Sequence, residues 1–327
     1  MPKIPYSKPA LTFVDQLQQL KQRGLIVAND DRAIHLLENI SYYRLSGYWY
    51  PFLKSPKSLH QFKPNATFDL AFRLYCFDRE LRKLVSAELE KIEIAVRAKM
   101  IYILSHAHGA FWFTDINLFI DQSKFINTNN KLSQEHARSK EEFILAFKRV
   151  YNNPLPPSWM ILEISSFGTL SNLFQNLKTS REKREIAQYF GLDEVTFESW
   201  LHALTYVRNV CAHHSRLWNK VMRILPRLPI SPTNTWLSNT TLINTRTNTI
   251  SSINNRTYCT LSMIIYFSQI VNSKNRFKQK LFKLLKKYPN VDPRAMGFTD
   301  NWKNEDLWKV ETLLQRLTKS AQKLFKK

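Results

Sequence analysis

Apolar residues along most of the chain recur with helical spacing. The longest such pattern runs from Phe68 to Leu104, where Leu70, Leu74, Phe77, Leu81, Val85, Leu89, Ile92, Val96 and Met100 give a broad apolar face uninterrupted by Gly or Pro. That is the signature of a helix buried in a bundle. A second apolar run, Ser158 to Leu177, predicts another long helix, with Gly168 placed to allow a close helix contact. A third covers Leu192 to His214, with Phe197, Trp200, Leu201, Leu204 and Val207 on one face. Shorter helices are predicted from Leu11 to Leu20, capped by Thr12 and ended at Gly24, then from Asp30 to Ile40, Glu141 to Tyr151, Arg181 to Phe190 and Tyr258 to Val271. No internal repeat and no alternating strand pattern is visible. The fold class is therefore all-α, a helical bundle.

Breaks in the pattern divide the chain. Residues 1–60 read as a small N-terminal module, two short helices and a turn in the manner of a helix-turn-helix. The module ends in an aromatic stretch containing Tyr42, Tyr43, Tyr48, Trp49, Tyr50 and Phe52. These rings either pack the module or offer a platform on which bases stack. Residues 61–225 form the helical core, interrupted by a polar, Asn-rich stretch, Asp121 to Leu132, that reads as a surface loop. Residues 226–257 are rich in Thr, Asn and Ser and read as a long loop opened by Pro226, Pro229 and Pro232. Residues 258–327 are basic helices packing on the core. There Phe277, Leu281, Leu284, Leu285 and Tyr288 make an apolar stripe opposed by Lys278, Lys280, Lys283, Lys286 and Lys287, and a similar basic helix is expected over 304–327.

Composition narrows the partners. The 327 residues include only 6 Gly, and 48 Lys and Arg against 26 Asp and Glu give a formal charge of +22. Residues 273–327 hold 15 Lys and Arg against 5 Asp and Glu, a net of +10. Such a balance points to RNA, DNA or an anionic membrane surface. No apolar run approaches the roughly 20 residues a spanning helix needs, and the basic amphipathic helix near 277–288, which could lie on a membrane, reads more simply as a bundle helix with an RNA-facing side, so no membrane partner is expected. Residues 1–25 also show no signal-peptide core. Cys76, Cys211 and Cys259 are odd in number and far apart. This argues against a disulfide framework or zinc site and for a reducing, cytoplasmic setting. His106 and His108 lie two apart, with no carboxylate or thiol nearby at ligand spacing, so neither a metal nor another cofactor is expected.

Chemistry concentrates between Arg208 and Asn219, which reads Arg-Asn-Val-Cys-Ala-His-His-Ser-Arg-Leu-Trp-Asn. Histidine exchanges protons near neutral pH, and arginine offers phosphate a planar fork of donors that stays charged. Together they are the minimum for cleaving a phosphodiester without a metal. His213 is the candidate base or acid, Arg208 the group that would steady transition-state charge, and Asn209 an orienting residue four positions from His213. His214 is either a second acid or base, or packing. Arg216 and Asn219 brace the motif or touch RNA, and Cys211 packs. On the 68–104 helix, Glu93 and Arg97 are spaced i, i+4. They form either a solvated ion pair or a polar pair aimed at the Arg208–His213 segment. Arg208 and His213 lie five residues apart, about 140° around a straight helix. Either Arg208 wraps round, or the helix is distorted, or a second motif supplies the missing partner.

Several stretches taken together resemble a known family. They are Ile40-Ser41-Tyr42-Tyr43-Arg44-Leu45 with Tyr48-Trp49, Glu90 through Arg97, and Pro156-Pro157-Ser158-Trp159-Met160 with Ser166 through Ser171. Val207 through Asn219 and Tyr288-Pro289 with Met296-Gly297-Phe298 complete the set. The chain resembles bacterial Abi-like proteins of the AbiD/AbiF abortive-infection group over nearly its whole length. Arg208, Asn209 and His213 also match the Arg-x4–6-His signature of HEPN ribonucleases. The resemblance implies an all-α HEPN-type bundle and metal-independent RNA cleavage. It further implies phage defence, restraint by a small non-coding RNA, and work as a homodimer in which two motifs meet. Arg208, Asn209, His213 and His214 would be catalytic. Glu90, Glu93, Arg97, Arg216, Asn219, Lys278, Lys283 and Lys287 would support the motif or bind RNA. A competing expectation is an RNA-binding or regulatory protein in which the same motif is structural.

Overall fold

Helix-forming segments dominate the structure as the apolar spacing requires. In the computed structural model, which describes residues 5–244 and 248–309, twelve α-helices are accompanied by short 3-10 turns and one two-stranded sheet. The molecule is an all-α bundle, and it divides into two compact units.

The first unit comprises residues 1–81 and 284–291. It opens with α1 (Phe13–Gln22), whose N-terminus is capped by the Thr12 hydroxyl accepting from the Asp15 N–H. Leu17 and Leu20 are its buried residues, whereas Val14 is exposed. α2 (Asp30–Ile40) is capped by Asn29. Ser41, at φ 76°, ends α2 and caps α3 (Tyr42–Trp49), so the aromatic stretch is itself helical. The packing reading finds residues in this stretch. Tyr48 and Trp49 are buried, and Tyr42 packs edge-on against Trp49. Tyr43 and Tyr50 are exposed. The unit also takes the start of α4 (Phe68–His108), whose first turn is held by the Thr67 hydroxyl accepting from the Leu70 N–H. Inside it the Tyr48 hydroxyl donates to the Asp78 carboxylate at 2.7 Å, with both residues buried.

Among the described residues, the second unit comprises residues 82–283 and 292–309 and carries the rest of α4. The stretch Asp121 to Leu132, expected as a loop, is the first part of α5 (Gln122–Arg138). Its low helix propensity is overridden by tertiary contacts. Asp121 caps it, Asn176 exchanges two hydrogen bonds with the Asp121 backbone at 2.8 and 2.9 Å, and Thr128 and Leu132 are buried. α6 (Glu142–Val150) follows. The apolar run from Ser158 to Leu177 is not one helix but two, α7 (Ser158–Ile161) and α8 (Phe167–Asn176). Ser166 caps α8 by accepting from the Thr169 N–H, which favours a fresh start over continuation. A methyl group on Gly168 would meet Thr205 at 3.6 Å, an ordinary contact, so the approach there does not demand glycine.

α9 (Arg181–Tyr189) ends at Gly191, where φ is +69° and an added Cβ would lie 2.6 Å from the Tyr266 hydroxyl. Here glycine is required. α10 (Glu194–Ala212) packs on α8, α9 and α11 (Thr257–Val271), with Phe197, Trp200, Leu201, Leu204 and Val207 buried as their spacing predicts.

The segment between α10 and α11 is strapped down rather than loose. The Trp200 indole donates to the Arg227 carbonyl at 2.8 Å, and the Ser238 hydroxyl and N–H donate to Glu305. It holds a hairpin that pairs β1 (Thr241–Asn244) with β2 (Thr249–Ser252) antiparallel. The hairpin escapes sequence reading because it buries no alternating face: Ile243 and Ile250 are both exposed. α12 (Phe277–Lys287) has the expected apolar stripe, with Phe277, Leu281 and Leu284 buried. Of the basic helix expected over 304–327, residues 310–327 lie outside the described residues.

Removing the Tyr48 hydroxyl leaves a buried carboxylate short of a donor. Tyr48→Phe is expected to lower unfolding free energy by about 1–3 kcal/mol in urea titrations.

Candidate functional site

Two helices of the second unit build a cleft of about 470 Å³. α4 lines it with Ser86, Glu90, Glu93, Ile94 and Arg97, and α10 with Arg208 and Ala212. The α4 residues recur at i, i+4, i+7, i+8 and i+11, one face of a helix. Arg208 and Ala212 are likewise i, i+4.

Arg97 is the anchor. It is 7% exposed. Its Nη2 donates to Glu93 Oε1 at 2.9 Å and to the Ser165 carbonyl at 3.1 Å, and its Nη1 lies 3.8 Å from Glu163. Its Nε is buried with no hydrogen-bond partner among the described residues. Glu93 is correspondingly enclosed, its side chain 13% exposed. Burial lifts its carboxyl above the ordinary range, and the nearby charges of Arg97 and Arg208 offset this only in part. The Glu93–Arg97 pair is thus not a solvated surface pair. It faces the cleft that Arg208 lines.

The motif beyond Arg208 departs from one continuous helix. α10 stops at Ala212, two residues before the predicted end. His213 is the C-cap, and His214 adopts φ 53°. The His214 N–H donates to the Cys211 carbonyl and the Ser215 N–H to the Val210 carbonyl, a Schellman closure. That geometry favours glycine, and a histidine there costs about 1–2 kcal/mol. Both histidines are exposed, and neither lines the cleft. Asn209 is also exposed and accepts a 3.4 Å bond from Arg208 Nη1, while its carbonyl accepts from the His213 N–H. The structure therefore gathers Glu90, Glu93, Arg97 and Arg208 in one cleft and leaves His213 and His214 just past its edge. α10 runs unbroken from Arg208 to Ala212. A helix C-terminus presents carbonyls, so holding an anion falls to the arginines.

Downstream of the turn the chain is pinned. The Ser215 carbonyl accepts from Arg82 at 3.4 Å and the Leu217 carbonyl from the Thr257 hydroxyl at 2.9 Å. Arg216 and Asn219 are half-buried in this strap, and the Asn219 side-chain oxygen is buried with no hydrogen-bond partner among the described residues. Cys211 is buried, as expected of a packing residue.

The three C-terminal lysines have separate fates. Lys278 donates to the carbonyls of Leu307 and Lys309 at 3.0 and 2.7 Å. Lys287 pairs with Glu80 at 2.7 Å within the first unit, and Tyr288 donates to the same carboxylate. Lys283 is exposed. Two of the three are thus engaged structurally. Ser86, Ile94 and Glu163 were not foreseen. The first two follow from the α4 spacing once Glu93 is known to face inward, whereas Glu163 has no local signal.

A family model described as Abi-like protein matches residues 35–219, more than half of the 327. The chain belongs to the Abi-like protein family. No curated protein and no solved structure matches it. The Abi-like match takes in the whole cleft and ends at Asn219, the last residue of the motif, so Lys278, Lys283 and Lys287 lie outside it. Membership in this family suggests a role in abortive infection, a form of phage defence. Among the described residues, no helix of this Abi-like chain is long and apolar enough to cross a membrane.

Breaking the buried pair one side at a time strands a charge, while replacing both members does not. Arg97→Met is expected to cost about 3–5 kcal/mol of stability and the Glu93→Leu/Arg97→Met double variant much less, measured as a double-mutant cycle by urea unfolding.

Proposed function

We propose that this Abi-like protein is a metal-independent endoribonuclease of the HEPN type, belonging to the AbiD/AbiF group, that acts as a toxin in phage defence. The observation that carries the reading is the shared cleft of Arg208, Arg97 and Glu93, with His213 on the turn immediately beyond it. In this reaction His213 takes the proton of a 2′-hydroxyl. The freed oxygen attacks the adjacent phosphorus, and the bond to the 5′-oxygen breaks. A protonated histidine then supplies the leaving oxygen with a proton, leaving a 2′,3′-cyclic phosphate and a 5′-hydroxyl. Arg208 offsets the charge gathering on the phosphorane, and Asn209 steadies Arg208 through their 3.4 Å bond.

One chain supplies this set incompletely, because His213 sits on the turn past α10 and does not line the cleft that Arg208 lines. We read the active form as a homodimer in which the second copy brings the missing acid, His213 or His214. The net charge of +22 suits RNA both as substrate and as a small non-coding RNA that restrains the toxin, and the cytoplasm is where both are met. Exposed Lys283 would hold backbone phosphate, and Arg216 and Asn219 would brace the turn.

Purified protein should cleave RNA in the presence of EDTA, and Arg208→Ala and His213→Ala should each slow cleavage by about 10²–10⁴. RNA binding without cleavage by the wild type would favour a regulatory protein with a structural motif. Expression should arrest growth, and an Arg208→Ala variant of equal toxicity would overturn the assignment. Light scattering alongside activity tests the pairing, which fails if a stable monomer cleaves as fast as the dimer.

A further inference from the structure

The cleft is formally neutral before anything binds, since Arg97 and Arg208 face Glu90 and Glu93. That balance opposes a phosphodiester, whose charge would share a partly enclosed space with carboxylates. The two glutamates are not equivalent. Glu90 is exposed at the rim, where water screens it. Glu93 is enclosed and bonded to Arg97 at 2.9 Å, so it occupies the guanidinium face that an incoming phosphate would need. Arg97 also keeps a donor in reserve, the buried and unpartnered Nε.

We propose that a phosphodiester enters this cleft together with one proton, which neutralises Glu93: phosphate oxygens replace the Glu93 carboxylate as the anionic partner of Arg97 and Arg208, and the protonated Glu93 then donates a hydrogen bond to the phosphate. The proposal rests on reading the cleft as the RNA-binding part of the site. The balance is simple: the cleft gains one phosphate charge and one proton, and its net charge is unchanged. Two anions so close cannot both stay ionised in a poorly solvated space, and the one already enclosed takes the proton. Burial has lifted Glu93 above the ordinary carboxylate range even with both arginines beside it, and a phosphate that claims the arginines removes that offset. The other charged groups around Glu93 do not substitute for it. Glu163, on the link between α7 and α8, is 54% exposed at 3.8 Å from Arg97. Arg208, from α10, stays charged throughout, and His213 and His214 stand exposed past the rim.

A short RNA carrying 2′-O-methyl groups throughout cannot be cut through its 2′-oxygen, so its binding is independent of cleavage. Its affinity for the full chain is measured by fluorescence anisotropy from about pH 5 to about pH 8 at fixed ionic strength, with proton uptake read by calorimetry in buffers of different ionisation enthalpy. The wild type should weaken by up to about tenfold per pH unit in the upper part of that range and take up a proton on binding. Glu93→Gln should bind more tightly at the upper end and lose both the slope and the proton. Glu90→Gln should shift affinity while keeping the slope. A wild-type affinity flat with pH, no binding at any pH, or a slope that survives Glu93→Gln and vanishes in His213→Ala would each overturn the proposal. If Glu93→Gln does not fold, the His213→Ala/His214→Ala double variant decides: a slope and proton uptake that persist there support the proposal, and their loss overturns it. The nuclease reading fails separately, by absence of EDTA-resistant cleavage of unmodified RNA.

Discussion

A guanidinium buried to 7% exposure is the constraint around which the second unit is arranged. Arg97 cannot shed its charge, so the fold must supply acceptors where it sits. Three are drawn from two places: Glu93 one turn back on α4, and the Ser165 carbonyl and the more distant Glu163 on the link between α7 and α8. Satisfying Arg97 therefore ties α4 to that link. The carbonyl it uses belongs to a residue outside both helices. The same demand holds Glu93 out of water and at the cleft, where Arg208 adds a second positive charge.

The end of α10 sets the second condition. A Schellman turn with His214 in its left-handed position stops the helix at Ala212, the last cleft residue by position, and sends the chain into a pinned strap. Arg208 thereby lines the cleft while His213, close in sequence, does not. The turn also leaves both histidines exposed.

Much of the fold was legible because burial writes periodicity into the sequence. Phe197 through Val207 and Leu70 through Met100 could be assigned to helix faces directly. Failures occurred where a local preference was outvoted. Asp121 to Leu132 has the composition of a loop, yet Asn176, distant in sequence, holds its first turn. The hairpin at 241–252 buries too little to leave a pattern. The break at Ser166 was hidden because both sides of it are apolar.

Residue types and spacing by themselves determined the all-α class, the faces of the main helices, the excess positive charge and the Arg208–Asn219 motif. These depend on what each residue prefers and on what a helix places side by side. Which way the Glu93–Arg97 pair faces, that Lys278 and Lys287 are engaged structurally, and that His213 lies beyond the cleft Arg208 lines were decided only by tertiary structure. Each turns on a partner far away in the chain: the Ser165 carbonyl for Arg97, Glu80 for Lys287, and α4 for Arg208. A carboxylate reads the same in sequence whether water or a buried arginine is its neighbour.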